Sequence, residues 1–123
     1  MELDYCGDEK IQDPSLDEVF ERLTQLTDNV NSFLILAREE QRYIQTIVTE
    51  TGFHVEYRDG SEAEHYSTPR SDLRLDEAME LFALYYKGDP AFRDAGGFTR
   101  GVEGAKHGCL TTLLLGPFLW LLR

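Results

Sequence analysis

The sequence is short of basic residues. Its 123 residues include 12 Lys and Arg against 23 Asp and Glu, which gives a formal net charge of −11 at pH 7. Proteins bind duplex nucleic acid and anionic membrane surfaces mainly through Lys and Arg side chains that meet phosphates, so both are poor partners for so acidic a chain. The acidity favours a protein partner with a basic surface, because opposite charges speed encounter, or it serves solubility alone.

Residues with the spacing of known catalytic motifs are also missing. There is no glycine loop followed by Lys and Ser or Thr, no nucleophile elbow, and no Cys or His spacing for structural zinc. The two cysteines, Cys6 and Cys109, form no metal-binding pattern and are expected to be separate reduced thiols. An enzyme is therefore the less favoured class, and no catalytic residue and no cofactor is expected.

The start of the chain lacks the features of a signal peptide. It reads Met1-Glu2-Leu3-Asp4, without a basic stretch followed by an apolar one. The cytoplasm is the expected location.

Two amphipathic helices are predicted. The first begins at a capping box formed by Ser15 and Glu18, directly after Pro14. The second runs from about Leu75 to Lys87 and ends at Gly88. Apolar residues recur at helical spacing in both, at Leu16, Val19, Phe20, Leu23 and Leu26 in the first and at Ala78, Met79, Phe82 and Tyr85 or Tyr86 in the second.

An antiparallel meander is predicted between the helices. Residues 32–68 contain the runs SFLILAR, RYIQTIVTE, FHVEYR and EAEHYST, which are separated by turn signals. A further short edge strand is predicted at Glu9 to Gln12. The expected fold is therefore α+β: a helix, an antiparallel meander of three to five strands, a helix, and then an apolar C-terminal segment.

The turns predict which residues pair across the meander. A turn at Glu40-Gln41 places Ile35 opposite Thr46, a turn at Thr51-Gly52 places Val48 opposite Val55, and a loop from Asp59 to Glu62 places Glu56 opposite His65. The predicted core face is Phe33, Ile35, Ala37, Ile44, Thr46, Val48, Phe53, Val55, Tyr57 and Tyr66. The predicted outer face is Leu34, Leu36, Tyr43, Gln45, Ile47, His54, Glu56, Arg58 and His65.

The outer face is half polar, which is unusual for a sheet. Aromatic and Arg side chains on an open sheet face are typical anchors for a protein partner. The predicted partner-binding residues are Tyr43, Gln45, Glu56, Arg58 and His65. An alternative is that His54, Glu56 and His65 form a metal triad of an enzyme, and another is that they make only polar contacts across the sheet.

The C-terminal region differs in composition from the rest. The predicted domain covers residues 1–92, a glycine-rich linker covers 93–108, and an apolar segment covers 109–123 without a charge before Arg123. As a helix, residues 109–122 would span about 21 Å, less than the roughly 30 Å hydrocarbon core, and Pro117 would kink it. One expectation is that the segment folds over the outer face and covers Leu34, Leu36, Tyr43 and Ile47. A second is that it tethers the domain to the inner face of the membrane, with the help of Lys106, Trp120 and Arg123. A third is that it binds a partner.

Several short motifs carry a resemblance to a known family. They are residues 31–36 (NSFLIL), 43–45 (YIQ), 52–60 (GFHVEYRDG) and 65–66 (HY), with the helix start at 13–15 (DPS) and the helix end at 82–88 (FALYYKG). Across residues 11–92 the chain resembles small bacterial proteins that are similar to Imm1-type immunity proteins of polymorphic toxin systems. The resemblance implies a non-catalytic protein that binds and neutralises a toxin domain inside the producing cell.

The C-terminal region departs from that family. Its members usually end soon after the second helix with a tryptophan-containing segment, whereas here a glycine-rich stretch and an apolar run follow. Three functions are therefore expected, in this order: a protein-interaction domain of the immunity type, a membrane-tethered accessory domain, and a metal-dependent enzyme.

Overall fold

Seven short strands form one antiparallel sheet in residues 1–29 and 31–100, which are the residues described by the computed structural model. The strand order is β2-β1-β3-β4-β5-β6-β7. The strands are β1 (Glu2–Tyr5), β2 (Glu9–Gln12), β3 (Phe33–Glu39), β4 (Arg42–Val48), β5 (Phe53–Asp59), β6 (His65–Ser67) and β7 (Thr99–Arg100). The α+β class and the edge strand at Glu9–Gln12 are confirmed, but the sheet exceeds the predicted three to five strands, because β1 and β7 are too short to carry a clear pattern.

Both predicted helices are confirmed. Helix α1 (Leu16–Gln25) begins at Ser15, whose hydroxyl accepts from the Glu18 backbone N–H at 3.1 Å while the Glu18 carboxylate accepts from the Ser15 N–H at 2.8 Å. Helix α2 (Leu75–Lys87) ends at Gly88, whose φ of 75° is easily adopted only by glycine. A short helix, α3 (Phe92–Ala95), follows.

The core lies between the helices and one face of the sheet. Burying apolar side chains contributes about 25 cal/mol per Å² and is the main force that holds these layers together. The most completely buried side chains are Leu3, Val19, Leu23, Leu34, Leu36, Ile44, Thr46, Val55 and Phe82.

The prediction for β3 is wrong about its faces. The turn at Glu40-Gln41 is as expected, since Glu39 pairs with Arg42, but the register shifts at Arg38, so that Ala37 lies opposite Tyr43. Such a β-bulge adds one residue to a strand, and here it moves the side chains that precede Arg38 to the other face. Leu34 and Leu36 therefore lie in the core, and Phe33, Ile35 and Ala37 lie on the outer face.

A strand that the sequence pattern did not predict explains why this arrangement is favoured. Strand β1 pairs with β3 and sets Leu3 directly opposite Leu36, and both side chains are fully buried. Ile44 pairs with Leu36 from the other side. The bulge thus brings three large aliphatic side chains together.

In the other two hairpins the pairing register is shifted by two residues from the prediction. A shift of two leaves each side chain on its predicted face. Val48 pairs with Phe53 because residues 49–52 form the loop, and Phe53 also exchanges two backbone hydrogen bonds with Leu73. A side chain at Gly52 would lie 2.6 Å from the Leu73 carbonyl oxygen, so this close approach requires glycine.

In the last hairpin, Tyr57 pairs with Tyr66 and Arg58 with His65. The Tyr57 and Tyr66 rings stack with their centroids 4.8 Å apart, which favours this register over the predicted pairing of Glu56 with His65.

The predicted linker at residues 93–108 is described as far as Arg100. Helix α3 and strand β7 occupy this region, because the Phe92 and Phe98 rings both pack edge-on against Tyr57. The remaining linker residues and the apolar segment 109–123 lie outside the described residues.

Among the helices that are described, none has the length and apolarity needed to cross a membrane.

Replacing Leu36 with Ala tests the bulged register. We expect the free energy of unfolding to fall by about 2–5 kcal/mol, because a fully buried side chain is removed, as measured by urea denaturation. The matched change Ile35→Ala, on the partly exposed outer face, should cost only about 1 kcal/mol. The register would be contradicted if Ile35→Ala were the more damaging change.

Candidate functional site

The outer face of the sheet carries the candidate site. Among the described residues, all three helices pack on the opposite face, where they bury Val19, Phe82 and Phe92. The central strands β3, β4 and β5 supply most of the outer face. Alternate residues of a strand point to the same side, which gives this surface its composition. Its central members are Phe33, Ile35, Ala37, Tyr43, Gln45, Ile47, His54, Glu56, Arg58 and His65.

Glu56 is the centre of a polar cluster on this face. Its Oε1 accepts hydrogen bonds from Gln45 Nε2 at 3.0 Å and from His65 Nε2 at 2.8 Å, and its Oε2 accepts from His54 Nε2 at 3.1 Å. Gln45 and Glu56 are directly paired across β4 and β5, while His54 precedes Glu56 by two residues on the same side of β5. A carboxylate can accept about four hydrogen bonds, so most of its capacity is used inside the cluster.

The second nitrogen of each histidine is also bonded. Arg58 Nε, which can only donate, lies 3.2 Å from His65 Nδ1. His65 Nδ1 is therefore an acceptor, and its proton is on Nε2, where it is donated to Glu56. This pattern fixes the orientation of the His65 ring between Arg58 and Glu56.

His54 has more freedom, because its second partner is a hydroxyl. Ser71 Oγ lies 3.0 Å from His54 Nδ1 and can either donate or accept. His54 can therefore be neutral or doubly protonated without losing a hydrogen bond. Although burial opposes the charged form, the bond and the charge of Glu56, together with a bond to the Arg70 backbone, raise the pKa of His54 above its ordinary value.

The same contacts act on Glu56 in the opposite direction. Burial disfavours its ionised form, but the hydrogen bonds from His54 and His65 outweigh burial and hold the pKa of Glu56 well below its usual range. Glu56 is thus a carboxylate at neutral pH. Its negative charge orients three donors on the outer face.

Tyr43 and Arg58 complete the polar part of the surface. The Arg58 guanidinium lies 5.6 Å from the centre of the Tyr43 ring, and the Tyr43 and His65 rings meet edge-on with centroids 6.4 Å apart. Arg58 Nη1 also donates to Gln41 Oε1 at 2.8 Å. The structure therefore brings together all five predicted partner-binding residues, Tyr43, Gln45, Glu56, Arg58 and His65.

Two contributors to the cluster were not predicted. Ser71 belongs to the loop after β6, which the Phe53 to Leu73 backbone bridge holds alongside β5. Gln41 lies in the turn between β3 and β4. No sequence pattern signals either contact, because both depend on the three-dimensional course of loops.

An apolar patch adjoins the polar cluster. Ile47 is 45% exposed and pairs with Phe33 across β3 and β4. Ile35 and Ala37 follow Phe33 along the same face of β3 and are partly exposed. The sequence pattern predicts Ile47 on this face but places Phe33, Ile35 and Ala37 in the core. The bulge at Arg38 accounts for the difference.

The hydrogen bonds disfavour the alternative of a metal triad. Both histidines direct Nε2 at the Glu56 carboxylate, and the Nδ1 atom of His65 is already an acceptor for Arg58. A shared metal would need unprotonated nitrogens that point to one position. Within the described part of the chain, no group of three His, Cys, Asp or Glu residues has the geometry of a metal site.

No protein family model matches the chain, and no curated protein or solved structure matches it either. The resemblance to Imm1-type immunity proteins therefore stays a prediction.

The change Glu56→Gln tests the electrostatic cluster. Because the pKa of Glu56 is lowered, this group stabilises the fold at pH values above 4.5, its ordinary pKa, and the stabilisation is lost as the pH falls towards the folded-state pKa. Because the pKa of His54 is raised, its stabilisation is fully present at pH values below 6.5, its ordinary pKa, and is lost as the pH rises. We therefore expect Glu56→Gln to reduce the free energy of unfolding by about 1–3 kcal/mol, with the largest loss between roughly pH 4.5 and 6.5.

Urea denaturation across this pH range measures the effect. The matched change Glu80→Gln, on the exposed side of α2, should produce no such maximum. A constant difference between the native protein and Glu56→Gln at all pH values would show that the cluster is not electrostatically coupled.

Proposed function

We propose that this chain is a non-catalytic protein-interaction domain that docks a protein partner on its outer sheet face. The observation that carries the proposal is the combination of an ordered polar cluster with an adjoining apolar patch. Interfaces are usually built this way, with aromatic, Arg and apolar anchors surrounded by polar groups.

The order of the polar side chains supports binding. Glu56, His65 and Arg58 are fixed by one another's hydrogen bonds, so little conformational entropy would be lost when a partner docks on them. Arg58 and Tyr43 provide the side-chain types that most often act as binding anchors. The exposed side chain of Ile47 provides apolar area that a partner can bury.

The net charge of −11 supports a basic partner. Long-range attraction between opposite charges raises association rates, and this effect weakens as salt is added. The resemblance to Imm1-type proteins supports a toxin domain as that partner, bound in the cytoplasm of the producing cell. An immunity protein is expected to be encoded immediately downstream of its toxin.

The membrane-tethered alternative depends on residues 109–122. These residues lie outside the described part of the chain, so the tether stays a prediction.

Binding to the product of the reading frame immediately upstream tests the proposal. We expect the purified full chain to bind that protein in isothermal titration calorimetry, with an affinity that falls as salt is raised. The change Ile47→Asp should weaken binding at least about tenfold, or about 1.4 kcal/mol, because it places a charge in the apolar patch.

The matched control is Leu75→Asp. Leu75 is the other large exposed apolar residue among those described, at 37%, but it lies at the start of α2 on the helical side of the domain. This control should leave affinity unchanged. Absence of binding by the full chain would overturn the immunity role, and equal loss in both variants would overturn the assignment of the outer face.

A further inference from the structure

A second candidate site is a cleft at the end of the sheet, between the β3–β4 hairpin and the C-terminal end of α2. It has a volume of about 170 Å³, smaller than a typical pocket for a drug-sized ligand. Its walls combine guanidinium groups with apolar side chains. The lining includes Arg38, Arg42, Arg58 and Arg93, together with Tyr85 and Phe92.

The charge of this cleft is opposite to that of the whole chain. Four of the 12 basic residues line it, in a protein with a formal charge of −11. Asp59 is the acidic residue in the lining, so the lining carries a net charge of about +3 when the four arginines and Asp59 are ionised. Like charges held close together repel one another, so a bound anion would relieve this cost.

The bulge in β3 brings Arg38 to the cleft. Arg38 Nη2 donates to the backbone carbonyl oxygens of Tyr85 at 2.5 Å and Tyr86 at 3.2 Å, at the end of α2. Its guanidinium also lies 5.2 Å from the centre of the Tyr85 ring. Bulges commonly redirect a side chain beside a functional site.

Asp59 shows how an oxyanion binds here. One of its carboxylate oxygens accepts from Arg42 Nη1 and the other accepts from Arg93 Nη2 at 3.0 Å. Each guanidinium has five N–H donors. Arg93 uses one of them on Asp59, and Arg42 uses one on Asp59 while its Nε lies 3.7 Å from Glu39 Oε2. The arginines therefore have donors left for a second oxyanion.

The apolar walls indicate that the ligand also has an organic part. The Phe92 ring packs edge-on against Tyr85, and Pro90 lines the cleft beside them. The cleft thus offers both hydrogen-bond donors and apolar surface.

The geometry points to a binding site for a phosphoryl group, carried by a small organic molecule, in the cleft formed by Arg38, Arg42 and Arg93. A phosphate monoester carries a charge of about −1.5 to −2 at pH 7 and has three acceptor oxygens, which suits several guanidinium groups better than a single carboxylate does. Arg38, Arg42 and Arg93 lie at the end of α2 and α3 on the helical side of the domain, and Arg58 is the lining residue that the cleft shares with the outer-face surface.

Titration of the full chain with inorganic phosphate and with phenyl phosphate, followed by NMR, tests the inference. We expect saturable shifts of the Gly88 amide and of the Arg Nε–H signals with both probes, tighter binding of phenyl phosphate, and weaker binding of acetate. The changes Arg38→Gln and Arg93→Gln should each weaken phosphate binding roughly tenfold, because each removes a charged donor.

Two further variants make the result decisive. Arg70→Gln is the matched control, because Arg70 is an exposed arginine paired with Asp72 and Glu77 elsewhere on the surface, and it should bind phosphate like the native protein. Asp59→Asn removes the internal anion and should tighten phosphate binding, provided that the thermal transition shows an intact fold. Absence of saturable shifts, or equal effects of Arg93→Gln and Arg70→Gln, would show that the arginines serve only to hold Asp59 and α3.

Discussion

The bulge at Arg38 is the constraint on which the rest of the structure depends. One extra residue in β3 turns Leu34 and Leu36 into the core and leaves Ile35 on the outer face. The same residue sends its guanidinium to the end of α2, where it caps two carbonyl groups. The core, the apolar half of the outer face and the arginine cleft therefore share a single cause in the backbone.

The outer face combines order with exposure. Glu56 is held as a carboxylate by Gln45, His54 and His65, and this cluster in turn orients Arg58 beside Tyr43. A polar cluster whose members satisfy one another costs little to keep on a sheet, whereas a partly satisfied one would be destabilising. Such a surface is suited to recognition of a partner, because its side chains are already positioned.

Much of this could be predicted from local patterns, and the rest depends on contacts that are distant in sequence. The capping box at Ser15, the helix end at Gly88 and the five polar residues of the outer face follow from spacing alone. The bulge does not, because Ile35 and Leu36 are equally apolar and only the pairing of β1 with β3 decides between them. Ser71 and the arginine cleft were missed for the same reason, since both are assembled from loops and element ends far apart in the chain.

Methyl NMR of the full chain is the most direct test of the central claim that the bulge sets the two faces. We expect nuclear Overhauser contacts from the Leu36 methyl groups to those of Leu3 and Ile44. The Ile35 methyl groups should show no contact with Leu3 or Ile44. Contacts from Ile35 to Leu3 and Ile44 instead would mean that β3 pairs without the bulge. In that case the outer face would carry Leu34 and Leu36, and Arg38 would not reach the arginine cleft.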